Sequence, residues 1–350
     1  MSDSQPLRIL FFADAGPQVG GGHVMRCLTL ARALSERGAE CAFVESRAAA
    51  PVLRRFGWPA QTLLAMANTE NLPDLLGWGG AFAALFEPDV VVVDHYGVGA
   101  AEETQFQGTR RKIVVIDDLA DRRHTCDLLV DPGFGRHRID YVDLARPTAK
   151  VLLGPGFALV RPEFAQARPR ALSRRAKHGP VARTLISLGL TDVSGVTTRV
   201  VEALLPVLGQ TRLDVVLGAG ASSLETLTAI AERDRRVHLW VDAHEMASLM
   251  GDADIAIGAG GSSVWERATV GLPSATVILA ENQRAMIEKM AEAGVTLALD
   301  AAAPAFAADL AGAWTTLAAD RELRWRLTER TADLCDGQGA ERVAEAVLRL

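Results

Sequence analysis

Three glycines and a histidine, Gly20-Gly21-Gly22-His23, stand between an apolar run of strand length, Leu7 to Ala13, and a stretch whose Val24, Cys27, Leu28, Ala31 and Leu34 fall at helical spacing. The pattern reads strand, glycine loop, helix. Gly21 and Gly22 let a ligand approach the backbone with no Cβ in the way. A helix start offers free N–H groups and the positive end of a dipole, which suit an anion or a developing negative charge. A neutral imidazole at His23 can accept a proton there. The competing reading is a helix-starting histidine with a hydrogen bond and no chemistry. The glycines do not spell the dinucleotide fingerprint G-x-G-x-x-G, so a nicotinamide cofactor is not indicated.

A second loop of the same kind lies far along the chain. Ile255 to Gly258 reads as a strand, Gly258-Ala259-Gly260-Gly261-Ser262-Ser263 as the turn, and Val264 onward as a helix. Gly260, Gly261 and the hydroxyls of Ser262 and Ser263 suit a diphosphate. No Lys follows in the Walker position, so a nucleotide diphosphate without a dedicated metal is expected. Glu266, one turn into the helix, can accept both hydroxyls of a ribose. A plain serine cap with Glu266 supporting the first turn is the structural alternative.

Both loops need strands to carry them, and the chain supplies two series. In the first half Glu40–Glu45, Val90–Val93, Lys112–Ile116, Leu128–Val130 and Val151–Leu153 read as strands, with helices over Ala48–Phe56 and Asn71–Phe86. Four consecutive valines with no polar alternation mark a parallel strand buried on both faces. Polar residues follow several strand ends, Asp94-His95-Tyr96 and Asp117-Asp118 among them, at the edge where open α/β sheets bind ligands. The proline- and arginine-rich stretch Arg161–Pro180 reads as an exposed linker or surface helix with a solvated charge run. The second half repeats the alternation from Arg183, through strands at Arg212–Leu217, Val237–Val241, Ile255–Gly258 and Ser274–Leu279, and is helical from Asp309. The expected fold is α/β, with two Rossmann-like domains, 1–165 and 180–335, an interdomain cleft, and a C-terminal helix over 336–350.

Composition fits this and narrows the function. With 37 basic and 43 acidic residues the net charge is −6, which gives a nucleic-acid role no general electrostatic support. The four cysteines form no CxxC pair, so buried thiols in a reducing compartment are expected, with neither a zinc site nor a disulfide framework. The polar start, Met1 to Pro6, is not a signal peptide, and no apolar stretch reaches membrane-spanning length. A cytoplasmic protein with no membrane partner is the expectation.

Several blocks together resemble the UDP-2,4-diacetamido-2,4,6-trideoxy-β-L-altropyranose hydrolases, the nucleotide-sugar hydrolases of pseudaminic acid biosynthesis. They are Phe12-Ala13-Asp14-Ala15-Gly16 with Gly20 to Leu34, Val93 to Gly97, Ile116 to Ala120, Cys126 to Leu129, Leu153 to Phe164, Ile257 to Arg267, and Leu279-Ala280-Glu281-Asn282-Gln283. Two positions depart from the family pattern: Phe12 stands where an Arg is usual, and Leu190 where a second Gly is expected. The resemblance implies a GT-B fold with UDP on the C-terminal domain. It implies hydrolysis of the sugar C1–oxygen bond with inversion, with His23 as base, Ser262 and Ser263 at the diphosphate and Glu266 at the ribose. Asn282 and Gln283 would face the sugar or the attacking water, and Asp14, Asp94 and Tyr96 would touch the sugar. No cofactor and no metal are implied. An inverting UDP-sugar glycosyltransferase of the same fold, possessing the same base, is the alternative activity, and a non-catalytic UDP-sugar binding module the alternative class.

Overall fold

The computed structural model describes residues 5–16, 19–59, 63–65, 76, 77, 81, 83–106, 111–177 and 179–350. The chain forms two units: residues 1–159 with 338–350, and residues 160–337.

In the first unit the strands are β1 (Arg8–Ala13), β2 (Glu40–Glu45), β3 (Leu63–Ala65), β4 (Val90–Asp94), β5 (Lys112–Ile116), β6 (Leu128–Asp131) and β7 (Lys150–Leu153). They lie in the order β3-β2-β1-β4-β5-β6-β7, and every pairing is parallel. The doubly wound order explains the valine run. Val90 and Val92 enter one apolar cluster and Val91 and Val93 the other, so both faces of β4 are covered. Each such side chain contributes roughly 1.5–3 kcal/mol by leaving water. Helix α1 (Gly22–Ser35) lays Val24, Cys27, Leu28, Ala31 and Leu34 on the first of these faces, and α2 (Ala49–Arg55) adds Leu53. Of the helix expected over 71–86, residues 71–75, 78–80 and 82 lie outside the described residues; 76, 77, 81 and 83–86 are helical. A single helical turn, α3 (Ala100–Glu103), follows β4.

The second unit opens with α4 (Pro162–Arg175) and carries β8 (Arg183–Ser187), β9 (Arg212–Leu217), β10 (Val237–Val241), β11 (Ile255–Ala259), β12 (Ser274–Ile278) and β13 (Leu297–Asp300). Their order is β10-β9-β8-β11-β12-β13, again parallel throughout. Between them run α5 (Val196–Leu204), α6 (Leu224–Arg233), α7 (Met246–Asp252), α8 (Ser263–Thr269) and α9 (Glu281–Glu292), and α10 (Phe306–Ala319) and α11 (Arg321–Leu334) close the unit. The edge strands β3 and β13 are too short and too weakly patterned to have been read from the sequence.

The basic stretch 161–180 forms a helix as expected and exposes Arg170 and Lys177, but it is only in part the solvated charge run expected of it. Its helix α4 spends arginines on orphan carbonyls at helix ends. Arg168 donates to the carbonyls of Thr269, Ala332 and Cys335, and Arg175 to that of Met250. Unpaired carbonyls at a helix C-terminus carry partial negative charge, which a guanidinium satisfies.

The last helix, α12 (Gly339–Val347), packs Val343, Ala344 and Val347 into the core beneath α1. It docks at Gly339, where an added Cβ would lie 2.2 Å from the carbonyl oxygen of Ala158. Gly339→Ala is therefore expected to push the helix off its seat at a cost of about 1–3 kcal/mol. A thermal melt beside the wild type checks this, and an unchanged midpoint sinks it.

Candidate functional site

The carboxyl ends of neighbouring strands in the first unit gather a row of charged side chains. Gly20 turns the chain with φ of +75°, Gly21 precedes the helix, and Gly22 is its first residue. His23 is thus in the first turn of α1, and Arg26 lies one turn on along the same face. Asp94 ends β4, next to Ala13 of β1 in the pairing register, so both α1 residues reach it.

Asp94 is fully buried. Its Oδ1 lies 2.5 Å from His23 Nδ1. Arg26 grips the same carboxylate twice, Nε to Oδ2 and Nη2 to Oδ1, both at 2.6 Å. Arg26 Nη1 donates to Asp118 Oδ2 at 2.7 Å. Burial alone would raise the Asp94 carboxyl, but the charges of Arg26 and then His23 outweigh it and hold it well below the usual carboxylate range. Arg26 is in turn raised well above its ordinary value, because Asp94 and Asp118 overcome its own burial.

The Asp94 carboxylate at 2.5 Å, nearer to Nδ1 than the Arg26 Nη2 donor at 3.0 Å, favours the tautomer with the proton on Nδ1, which leaves the Nε2 lone pair as the acceptor. The Tyr96 ring meets the imidazole edge-on, with centroids 4.5 Å apart, and holds its plane. Burial and the neighbouring Asp118 push the Tyr96 phenol up, so it remains a neutral hydroxyl.

Asp14 follows β1, its N–H bonded to the carbonyl of Asp94, and its Oδ1 is 3.6 Å from His95 Nε2. His95 Nδ1 accepts from the Gly97 N–H, so the Nε2 proton is directed at Asp14. Burial lowers the His95 imidazole below its ordinary value, more than Asp14 raises it. Phe12, the residue that departs from the family pattern, is a core side chain. Its ring stacks on His95 at 5.4 Å and tilts against Phe106. The aromatic ring thus braces a site histidine from below.

The second glycine loop lies in the second unit. β11 runs into Gly260, Gly261 and Ser262, and α8 begins at Ser263. The turn is packed from beneath by a buried cation. Arg267 donates to the carbonyl of Ala259 and to Ser263 Oγ, and a Cβ on Gly258 would lie 2.3 Å from its Nη1. Burial lowers Arg267 to about 10, so it remains charged at neutral pH. Gln283, in the first turn of α9, covers the loop, and its Oε1 would lie 3.0 Å from a Cβ on Gly260. Asn282 precedes it, exposed, and Ser262 is exposed as well. Glu266 is already engaged, because Arg161 Nε and Nη2 both donate to its Oε1 at 3.0 and 2.9 Å.

Gly21, Gly22, His23, Asp14, Asp94 and Tyr96 thus come together in one unit, and Gly260, Gly261, Ser262, Ser263, Glu266, Asn282 and Gln283 in the other. The sequence alone assigns Arg26, Arg267 and Arg161 no role in the site. The signal was present for Arg26, an i+3 cation beside His23, and for Arg267, an i+4 cation beside Ser263. The four cysteines are all buried free thiols. Among the described residues no helix is long and apolar enough to cross a membrane.

Known proteins carry the same architecture. Residues 194–306 match the glycosyltransferase family 28 C-terminal domain. The UDP-2,4-diacetamido-2,4,6-trideoxy-beta-L-altropyranose hydrolase of Campylobacter jejuni is 23% identical over 290 residues, covering 82% of this chain and 97% of that protein. This supports the resemblance carried by the glycine-histidine and Ala-Glu-Asn-Gln blocks. The spore coat polysaccharide biosynthesis protein SpsG of Bacillus subtilis is 23% identical over 343 residues, 96% of either chain. Among solved structures, MurG of Acinetobacter baumannii superposes with a TM-score of 0.70 at 15% identity, over 99% of this chain and 100% of its own. The UDP-GlcNAc 2-epimerase of Neisseria meningitidis, bound to UDP-GlcNAc, reaches 0.69 at 12% identity, over 99% and 100%. The fold is the two-domain α/β GT-B fold.

Proposed function

We propose that this protein is a nucleotide-sugar hydrolase that releases UDP from UDP-2,4-diacetamido-2,4,6-trideoxy-β-L-altropyranose. The observation that carries the proposal is the His23–Asp94 pair at 2.5 Å, which leaves the imidazole Nε2 as a proton acceptor in a glycine-rich turn. The relative from Campylobacter jejuni supports the substrate. In the reaction the oxygen of a water attacks C1 opposite the diphosphate. The C1–oxygen bond breaks with its electron pair going to UDP, the water proton passes to His23 Nε2, and C1 inverts. UDP is a good leaving group, and N–H groups and hydroxyls around Gly260 to Ser263 suit its charge. Asn282 and Gln283 would contact the sugar or the water, and Asp14 and Tyr96 the sugar. Asp94 acts through His23.

Glu266 is assigned to the ribose hydroxyls, sharing its carboxylate with Arg161. Glu266→Gln removes a charged acceptor and is expected to weaken UDP binding by roughly 10–100-fold. Calorimetric titration with UDP reads this, and unchanged affinity removes Glu266 from the site. The reaction itself is tested by an NMR time course of the purified protein with the UDP-sugar. Release of UDP with C1 inverted supports hydrolysis. A substrate that stays intact in water while UDP binds overturns it.

A second reading is an inverting glycosyltransferase, favoured by the family 28 match over residues 194–306. It uses the same base on a sugar hydroxyl. Turnover that appears only when an acceptor alcohol is added identifies it.

A further inference from the structure

The row of charges at the strand ends of the first unit does not stop at Asp118. It continues across the next two strands, β5 and β6, through groups that the proposed reaction does not use. Asp117 directly follows β5, and its carboxylate accepts from the N–H groups of Leu119 and Ala120, which sets the turn carrying Asp118. Arg122 adds a bond to Asp117 Oδ1 at 3.0 Å. Asp131, at the end of β6, lies in the adjacent strand; Ile116 and Val130 are register partners. One hydroxyl joins the two acids. Tyr141 Oη is 2.9 Å from Asp117 Oδ2 and 2.8 Å from Asp131 Oδ2. Tyr141, Asp117 and Asp131 are all buried.

Arg136 then closes the path back to the site. Its Nε lies 2.8 Å from Asp131 Oδ2, and its Nη2 donates to the backbone carbonyl of Asp118 at 2.7 Å. Gly133 makes room for this. A Cβ there would lie 2.7 Å from Asp131 Oδ1 and 3.1 Å from Arg136 Cγ. The contacts therefore run unbroken from Tyr141 to Asp131 to Arg136 to Asp118 to Arg26 to Asp94 to His23. They follow the sheet order from β6 through β5 and β4 to α1.

We propose that Tyr141, Asp131 and Arg136 are positioning residues for the base: they hold Asp118 in place, and through it the charge balance and orientation of Arg26 on the Asp94–His23 pair. The physical reason is compensation. Arg26 Nη2 is 3.0 Å from His23 Nδ1, so the field at the imidazole depends on how fully Arg26 is neutralised. Asp94 supplies one carboxylate and Asp118 the other. If Asp118 drifts from Nη1, the uncompensated cation disfavours imidazolium, and His23 gives up its proton at lower pH. The other groups that face His23 are Tyr96, edge-on, and His95, whose charge acts on the same neighbourhood. Tyr96 also hydrogen-bonds Asp118, and Arg122 donates to the backbone carbonyl of His95, so both rings meet the same charge row. Burial also raises Asp131 to about 6, against the pull of Gly133 N–H, Tyr141 and Arg136.

The catalytic consequence rests on the reading of His23 as base, but the coupling itself is measured without substrate. The His23 ring is followed by NMR in the full chain as the pH is changed, with its signal assigned from a His23→Gln variant. Asp118→Asn removes the carboxylate charge directly. It is expected to move the His23 midpoint down by about 0.5–1 pH unit. Arg136→Met and Tyr141→Phe, which leave Asp118 itself intact, are expected to move it the same way by a smaller amount. A role in packing alone lowers the melting temperature and leaves the His23 midpoint in place. The proposal is overturned if Asp118→Asn leaves the midpoint where it was. It is equally overturned if Asp118→Asn moves the midpoint and both brace variants do not. Tyr141→Phe loses one oxygen and no ring, so it serves where Arg136→Met does not fold. A moved midpoint in a protein that releases no UDP keeps the brace and sinks the hydrolase. Where UDP is released, the brace variants lose kcat with KM near the wild-type value.

Discussion

Release of UDP from the altropyranose nucleotide is expected to slow by roughly 10²–10⁴-fold in His23→Ala, the range a positioned base contributes. The variant should fold. His23 is only 5% exposed, but its removal strands no charge, because Asp94 keeps both bonds to Arg26 and the contact from the Cys27 thiol. UDP affinity should stay near the wild-type value, since the diphosphate and ribose are assigned to residues of the second unit. The loss therefore belongs to kcat. Asp94→Asn separates the two parts of the argument. It preserves shape but no longer favours a proton on Nδ1, so the imidazole is free to present the wrong tautomer, and activity should fall although His23 remains. Steady-state kinetics of the two variants with NMR detection of UDP decide the matter. Equal turnover in His23→Ala and wild type removes the histidine from its role and leaves the hydrolysis itself standing.

Much of this arrangement was legible in the residues, for reasons that can be named. Parallel strands buried on both faces read as unbroken apolar runs, so β1, β4, β5 and β11 stand out, and the glycine-to-helix junctions after β1 and β11 follow from them. The acids after β4 and β5 are visible as single letters. What the letters do not give is partnership. The glycine turn before α1 marks His23, but the groups nearest its ring nitrogen are a carboxylate 71 positions away and a guanidinium one turn along its own helix. Composition makes Arg26 look like a surface residue of an amphipathic helix. It is buried because β4 happens to end in an acid at that height. The same limit explains the basic stretch 161–180. Arginines there look solvated because the carbonyls they satisfy belong to helix ends up to 167 residues away. Phe12 illustrates the reverse. As a single letter it is a departure from the family pattern, and in the fold it is a core ring beneath His95.

Arg26→Met is expected to cost about 3–5 kcal/mol at neutral pH, the penalty for leaving a buried carboxylate without its partner. Methionine keeps most of the aliphatic stem, so little of the loss is packing. Asp94 is fully buried, and without Arg26 its remaining side-chain hydrogen-bond partners among the described residues are His23 and the Cys27 thiol. The pH dependence of this loss has a definite sign. In the wild type Asp94 ionises well below the unfolded carboxylate value near 3.9. Its contribution is fully present above that value and fades as the pH falls through the folded one. In the variant burial acts without Arg26, so Asp94 ionises above its unfolded value. The folded state then holds a proton that the unfolded chain has released, and stability falls as the pH rises from about 4. The two curves diverge, with the gap widest at neutral pH and narrowing in acid. Urea unfolding at several pH values between 4 and 7 measures it. A gap that is the same at every pH would mean that Arg26 acts by packing rather than by charge, and the electrostatic account of the His23–Asp94–Arg26 group would have to be given up.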